Sequence, residues 1–329
     1  MDEKSDTREN WRMQAFQQDE SVQVTPEEVI RVYFSFDLEA TGLKTKEDEI
    51  TEIGVCTVVE QRDNRWIVLP ETFCQRVRIK GDLCIAAQRI TKITKEQLMK
   101  EQPFVDVLAK FTDYIARMCF NLPRDAERCF LGYNIKDFDG PLLLNEMHKN
   151  GLDVIKYTRQ WRISHFVDML PFCRNPKIID ATKLPRDKTG RAIYRLGEIY
   201  SVILGKPLVG AHGALQDSIG VLQLLLHIAD LREIIVCDIK SKNPTIIVNF
   251  MQFVTKHTSE IKKITTSKKD DSVKKERTID MFYFKKAKID QESSNKPPSS
   301  ISTTIPDVPS FPDIPTSSSS KSPEDAISI

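Results

Sequence analysis

The 329-residue sequence has almost no charge of one sign to spare: 48 Lys and Arg stand against 47 Asp and Glu. That excludes a polycation holding nucleic acid by bulk charge alone, while leaving local basic grooves open. Long hydrophobic runs are missing too. The longest apolar-rich stretches, around Val221–Ile228 and Ile246–Val254, fall well short of the ~20 residues that span a bilayer. Met1 to about Glu20 lacks the apolar stretch of a secretory signal, so no membrane association is expected. Glycine is scarce at 12 residues, and 40% of the chain is hydrophobic, which excludes collagen-like and wholly disordered classes. Cysteines come without the spacing of a scaffold. Cys56, Cys74, Cys84, Cys119, Cys129, Cys173 and Cys237 are odd in number, scattered and free of any C-x-x-C. Reduced thiols in an intracellular protein, nuclear or cytoplasmic, explain them better than disulfides or zinc.

Composition shifts twice along the chain. Residues 1–28 are polar and read as a disordered leader; short apolar blocks then define one folded domain over 29–240, with a helical extension over 241–256. Residues 257–329 turn Lys-rich and then Ser/Pro-rich, a composition that cannot bury enough apolar surface to offset chain entropy. Within the domain, Arg31–Phe36, Ile50–Val59 and Arg65–Arg78 read as strands. Phe104, Leu108, Phe111, Ile115 and Met118 recur at helical spacing behind Pro103. Strand Cys129–Tyr133 feeds helix Gly140–Met147, His165–Met169 suits another strand, and Leu196–Leu204 and Ala214–Ile228 suit helices. Three strands followed by strand–helix alternation predict an α/β fold with a mixed sheet.

Three acidic clusters fall at the ends of these elements. Asp37-Leu38-Glu39 follows the first strand, and residues two apart on a strand share a face. Asn134-Ile-Lys-Asp-Phe138-Asp139 opens a helix, and His212-Gly-Ala-Leu-Gln-Asp217 leads into another. Each alone fits a bland reading: solvated carboxylates at a strand end, or a helix-start Asp beside a loop His. Asp37, Glu39, Asp139 and Asp217 gathered without cations would repel and raise their own pKa values. Hard divalent ions remove that conflict, and a pair of them suits an in-line phosphoryl displacement. His212 then has a natural role as general base on the attacking water.

The order D-x-E, N-x-x-x-[FY]-D, H-x-x-x-x-D resembles the DEDDh 3′→5′ exonucleases, with a ribonuclease-H-like (DnaQ-like) fold. The likeness spans roughly residues 30–230. Phe36-Asp37-Leu38-Glu39-Ala40-Thr41-Gly42-Leu43, Ile90-Thr91-Lys92-Ile93-Thr94, Asp137-Phe138-Asp139-Gly140-Pro141-Leu142-Leu143 and Leu196-Gly197-Glu198-Ile199-Tyr200 are similar to segments of the three-prime repair exonucleases. The resemblance implies a mixed central sheet flanked by helices, two Mg²⁺ per site with Mn²⁺ as a substitute, and nucleoside 5′-monophosphate products. It implies that Asp37 bridges both ions, Glu39 and Asp217 complete one, Asp139 serves the second and His212 activates the nucleophile. Ala40, Leu43, Ile93 and Phe138 would hold the terminal nucleotides, and Asn134 would orient the site. Single-stranded or frayed DNA 3′ ends are the implied substrate. An RNA 3′-exonuclease on the same scaffold and a catalytically silent adaptor are the alternatives.

Some positions depart from that pattern. Lys92 replaces a small residue, and Tyr133 stands where many relatives have His. In the tail, residues 256–290 hold 11 Lys and Arg against 6 Asp and Glu. Glu276, Ile279, Phe282 and Tyr283 there are similar to a motif that binds the sliding clamp (proliferating-cell nuclear antigen), with Glu276 where Gln is usual. The clamp and a second copy of the chain are the protein partners to test.

Overall fold

The computed structural model describes residues 24–228 except 177, and 247–267, with side chains to 261. β1 (Val29–Ala40) runs antiparallel to β2 (Ile50–Gln61) on one side and parallel to β4 (Glu127–Gly132) on the other. β3 (Trp66–Arg76) extends the sheet antiparallel beyond β2. β5 (His165–Asp168) joins β4 in parallel, and β6 (Ile247–Asn249) closes the row antiparallel to β5. The order is β3-β2-β1-β4-β5-β6, six strands in one mixed sheet.

Helices α1 (Ile85–Thr91), α2 (Lys95–Leu98), α3 (Phe104–Met118), α4 (Asp139–Lys149) and α5 (Val154–Trp161) precede β5. α6 (Met169–Cys173), α7 (Leu196–Leu204), α8 (Ala214–His227) and α9 (Phe250–Ser267) follow. The period-2 pattern of β1 divides the core. Phe34, Phe36 and Leu38 point into one layer with Phe111, Phe130, Trp161 and Phe250. Tyr33 points the other way, into the layer built with Leu215, Ile219 and Leu222 of α8.

Small residues let α8 lie tight on the sheet. Ser35 Oγ donates to the Ser218 carbonyl at 2.6 Å. At Gly54, a Cβ would sit 2.1 Å from the Ala214 carbonyl carbon and 2.2 Å from the Leu215 nitrogen. Only glycine permits that approach.

The mixed sheet flanked by helices is the architecture the sequence implies; several boundaries differ. β1 does not stop at Phe36 but continues to Ala40, because β2 pairs with it as far as Ala40↔Ile50. Helices α1, α2, α5 and α6 were not expected; all are short, and a single apolar face over one or two turns leaves little periodic signal. Residues 24–28 belong to the fold rather than to a leader: Val24 packs on the core and Gln61 Nε2 donates to the Thr25 carbonyl at 2.8 Å. The extension placed at 241–256 contains strand β6, and its helix runs on to Ser267. Phe250, Val254, His257 and Ile261 continue its inward stripe into the Lys-rich segment. Residues 1–23 and the tail motif at Glu276, Ile279, Phe282 and Tyr283 lie outside the described residues.

Candidate active site

Asp37 and Glu39 sit on the face of β1 that α8 covers, two residues apart and pointing the same way. α8 presents Asp217 in its first turn, directly over them. One carboxylate oxygen from each of Asp37, Glu39 and Asp217 lies within 4.8 Å of the other two. The geometry follows from β1's register against β2, where Asp37 faces Gly54 and Glu39 faces Glu52, and from α8's seat on Gly54.

Asp139 opens α4 beyond the end of β4 and lines the same cleft. Its Oδ1 accepts the Leu38 backbone N–H at 3.0 Å, which ties α4's start to β1 between the other two acids. His212 also lines the cleft. It has φ +72°, a left-handed conformation that a non-glycine residue adopts only when its surroundings enforce it. Here the Asp217 carboxylate does so, receiving the His212 backbone N–H at 3.2 and 3.3 Å.

The electrostatics are those of a site short of positive charge. Burial, then the charges of Asp139, Asp217, Glu39 and Glu52, push the Asp37 carboxyl well above its ordinary range. Burial and Asp217 do the same to Glu39. Asp139 rises to about 7, chiefly through burial, although the Leu38 N–H pulls it down. Among the described residues, Asp37, Glu39 and Asp139 form no ion pair, and Glu39 Oε1 is buried with no hydrogen-bond partner. A buried carboxylate oxygen left unpaired is costly. Oxygen ligands converging within a few ångströms suit a hard divalent cation, so these residues fit one: Asp37, Glu39 and Asp217 would hold it, with Asp139 beside them.

Asp139 also sets a stability expectation. A carboxyl with a raised folded pKa is still protonated in the folded chain after the unfolded chain has ionised, so folding binds a proton and stability falls as pH rises. For Asp139 that window runs from near 3.8 to about 7. In EDTA, wild type should lose on the order of a few kcal/mol across it relative to Asp139→Asn, and Mg²⁺ above the window should restore the loss. Thermal melts against pH check this; parallel profiles for the two chains in EDTA would contradict it.

Ala40, Leu43, Asn134 and Phe138 all line the cleft. Ile93 does not: it is buried with Ile79 and Leu98 in a separate small cluster, while its neighbours Ile90 and Thr91 reach the cleft. Two further acids shape the site. Asp168, buried at the end of β5, accepts the backbone N–H groups of Asn134, Lys136 and Leu170 at 2.9, 3.2 and 3.0 Å, fixing the loop that carries Asn134 and Phe138. Glu52, 5% exposed, accepts the Ala214 N–H at 3.0 Å and so caps α8 from β2. An acid and a glycine two apart early in a strand rich in β-branched residues, Glu52-Ile53-Gly54, are the available signal. Glu52→Ala should cost about 1–3 kcal/mol of stability and lower kcat about tenfold or more through displaced Asp217, with Glu52→Gln recovering most of both because its carbonyl can still accept. Equal loss in the two variants would contradict a capping role.

The exonuclease family model, RNase T, matches residues 34–225. No curated protein sequence matches the chain. Among solved structures, Exonuclease I is similar in fold: one structure aligns with TM-score 0.50 at 17% identity over 63% of this chain and 43% of that one, and a product-bound structure with TM-score 0.50 at 17% over 63% and 46%. E. coli Exonuclease I with a dT13 oligonucleotide gives TM-score 0.49 at 18% identity over 64% and 43%. The chain thus spans less than half the length of the Exonuclease I chains it matches. With the family model covering most of the described fold, acidic cluster included, this chain belongs to the RNase T (DEDD) exonuclease family.

Proposed function

We propose that the chain is a divalent-metal-dependent 3′→5′ exonuclease acting on single-stranded or frayed DNA ends inside the cell, in the subgroup resembling the three-prime repair exonucleases. The convergence of Asp37, Glu39 and Asp217 within 4.8 Å, in a cleft whose Glu39 Oε1 is otherwise unpaired, carries the reading. Bound Mg²⁺, or Mn²⁺ in its place, would stabilise charge on the attacking and leaving oxygens of the phosphodiester. Asp37 would be shared between two ions, Glu39 and Asp217 would complete one, and Asp139 would serve the other. His212 would take the proton from the attacking water, the imidazole being held at the cleft by its backbone bond to Asp217. Leu43, Ala40 and Phe138 supply apolar surface beside the acids for the terminal sugar and base. Asn134, on the loop fixed by Asp168, orients that wall.

DNA is preferred over RNA on the motif likeness, and an RNA 3′-exonuclease is the competing reading. An adaptor without activity has no use for four converging carboxylates whose mutual repulsion destabilises the fold. Matched DNA and RNA oligonucleotides, single- and double-stranded, decide between them. Mg²⁺-dependent shortening of the single-stranded DNA at least about tenfold faster than of the RNA is expected, since one unsatisfied 2′-hydroxyl costs ~1–3 kcal/mol; faster RNA turnover would overturn the DNA assignment.

A further inference from the structure

Arg195 immediately precedes α7 and lines the cleft opposite in charge to everything the site needs for metals. Asp37, Glu39, Asp139, Asp217 and Glu198 line the same cleft, yet Arg195 forms no ion pair among the described residues. Its Nε is buried with no hydrogen-bond partner. Burying a guanidinium N–H unpaired is unfavourable unless a ligand completes it, and the main chain fixes where the side chain leaves for the cleft. The backbone is held: Tyr133, at the end of β4, donates its hydroxyl to the Tyr194 carbonyl at 2.9 Å, and the Arg195 carbonyl accepts the Ile199 N–H at 3.0 Å in α7's first turn. Both anchors precede or follow Arg195 by at most a few residues, so its main chain is fixed on both sides.

We infer that Arg195 binds a phosphodiester oxygen of the substrate strand, with Tyr133 as its positioning residue. The inference rests on the exonuclease reading only for the identity of the strand. A planar guanidinium with free N–H donors matches phosphate geometry, and the ligand completes the pairing that the folded chain leaves open. The departure at Tyr133 acquires a use, since phenylalanine there would lose the tie to Tyr194.

The test compares the full-length wild type with Arg195→Gln, Arg195→Lys and Tyr133→Phe. Anisotropy of a labelled single-stranded oligonucleotide is recorded against salt in EDTA, and KM and kcat are recorded in Mg²⁺. Arg195→Gln should weaken binding and raise KM about tenfold or more, with a salt slope shallower by about one phosphate contact. Arg195→Lys should recover the slope but only part of the affinity. Tyr133→Phe should raise KM with the slope unchanged, and its effect should nearly vanish in the Arg195→Gln background. Melting temperatures of the Arg195 variants should match wild type, because the side chain has no ion pair or hydrogen bond to lose among the described residues. Binding and salt slope of Arg195→Gln equal to wild type overturn the inference even if the wild type is an active exonuclease. Weaker binding with a shallower slope supports it even if the wild type releases no nucleotide, an outcome that would instead sink the exonuclease reading.

Discussion

Asp217→Asn is expected to lower kcat/KM by about 10³-fold or more, the equivalent of several kcal/mol of lost charge stabilisation, while raising the melting temperature of the metal-free protein. The two effects share one cause. Asp217 lies within 4.8 Å of Asp37 and Glu39, is 5% exposed, and raises the pKa of both neighbours. Its charge is therefore useful to a cation and unfavourable to the empty fold. The amide keeps an oxygen that can accept the His212 N–H, so the loop is retained while the repulsion is relieved. Relief of about 1–2 kcal/mol should raise the EDTA melting temperature by about 3–6 °C, and Mg²⁺ should stabilise wild type but not the variant. Steady-state kinetics and thermal melts with and without Mg²⁺ read both. Retained activity would remove Asp217 from the metal set, and a lower EDTA melting temperature would mean that the carboxylates do not strain the fold.

Gly54→Ala should damage the protein from the opposite direction, through packing rather than charge. The added methyl would stand 2.1 to 2.4 Å from main-chain atoms of Ala214 and Leu215, which cannot rotate away. α8 must lift from β2, at a cost of about 3 kcal/mol or more, or roughly 6–12 °C in melting temperature. The same displacement carries Asp217 away from Asp37 and Glu39 and stretches the bond from Ala214 N–H to Glu52. A shift of about 1 Å at a reacting centre lowers rate about a hundredfold, and Mg²⁺ should not restore it. A variant with wild-type melting temperature and kcat would show that α8 does not depend on this contact.

Much of the arrangement was legible in the residues. β-branched and aromatic runs mark the central strands, and the apolar repeat behind Pro103 marks α3. The D-x-E spacing anticipates a shared face for Asp37 and Glu39, because strand period alone dictates it. Their convergence with Asp217 was reachable only through the pattern of the three motifs together, since no local rule says which helix covers which face of a sheet. Glu52 and Asp168 are not legible in the residues for a related reason: each acts on the backbone of a segment distant in sequence, Ala214 in one case and Asn134 in the other, and a hydrogen bond to a main-chain amide leaves no trace in its partner's side chain. Ile93 shows the converse. It sits in a segment that resembles the family's nucleotide-contacting stretch, but the turn at Lys92, with φ +60°, sends Ile93 into the cluster with Ile79 and leaves Ile90 and Thr91 at the cleft.

Metal-dependent cleavage from a 3′ end is the work proposed for these carboxylates. It is tested most directly by following a 3′-labelled single-stranded oligodeoxynucleotide with purified full-length protein in Mg²⁺ and in EDTA. Release of the 3′ label as a nucleoside 5′-monophosphate is expected in Mg²⁺, and none in EDTA. Label release that persists in EDTA, or internal cleavage with the 3′ nucleotide intact, would contradict it.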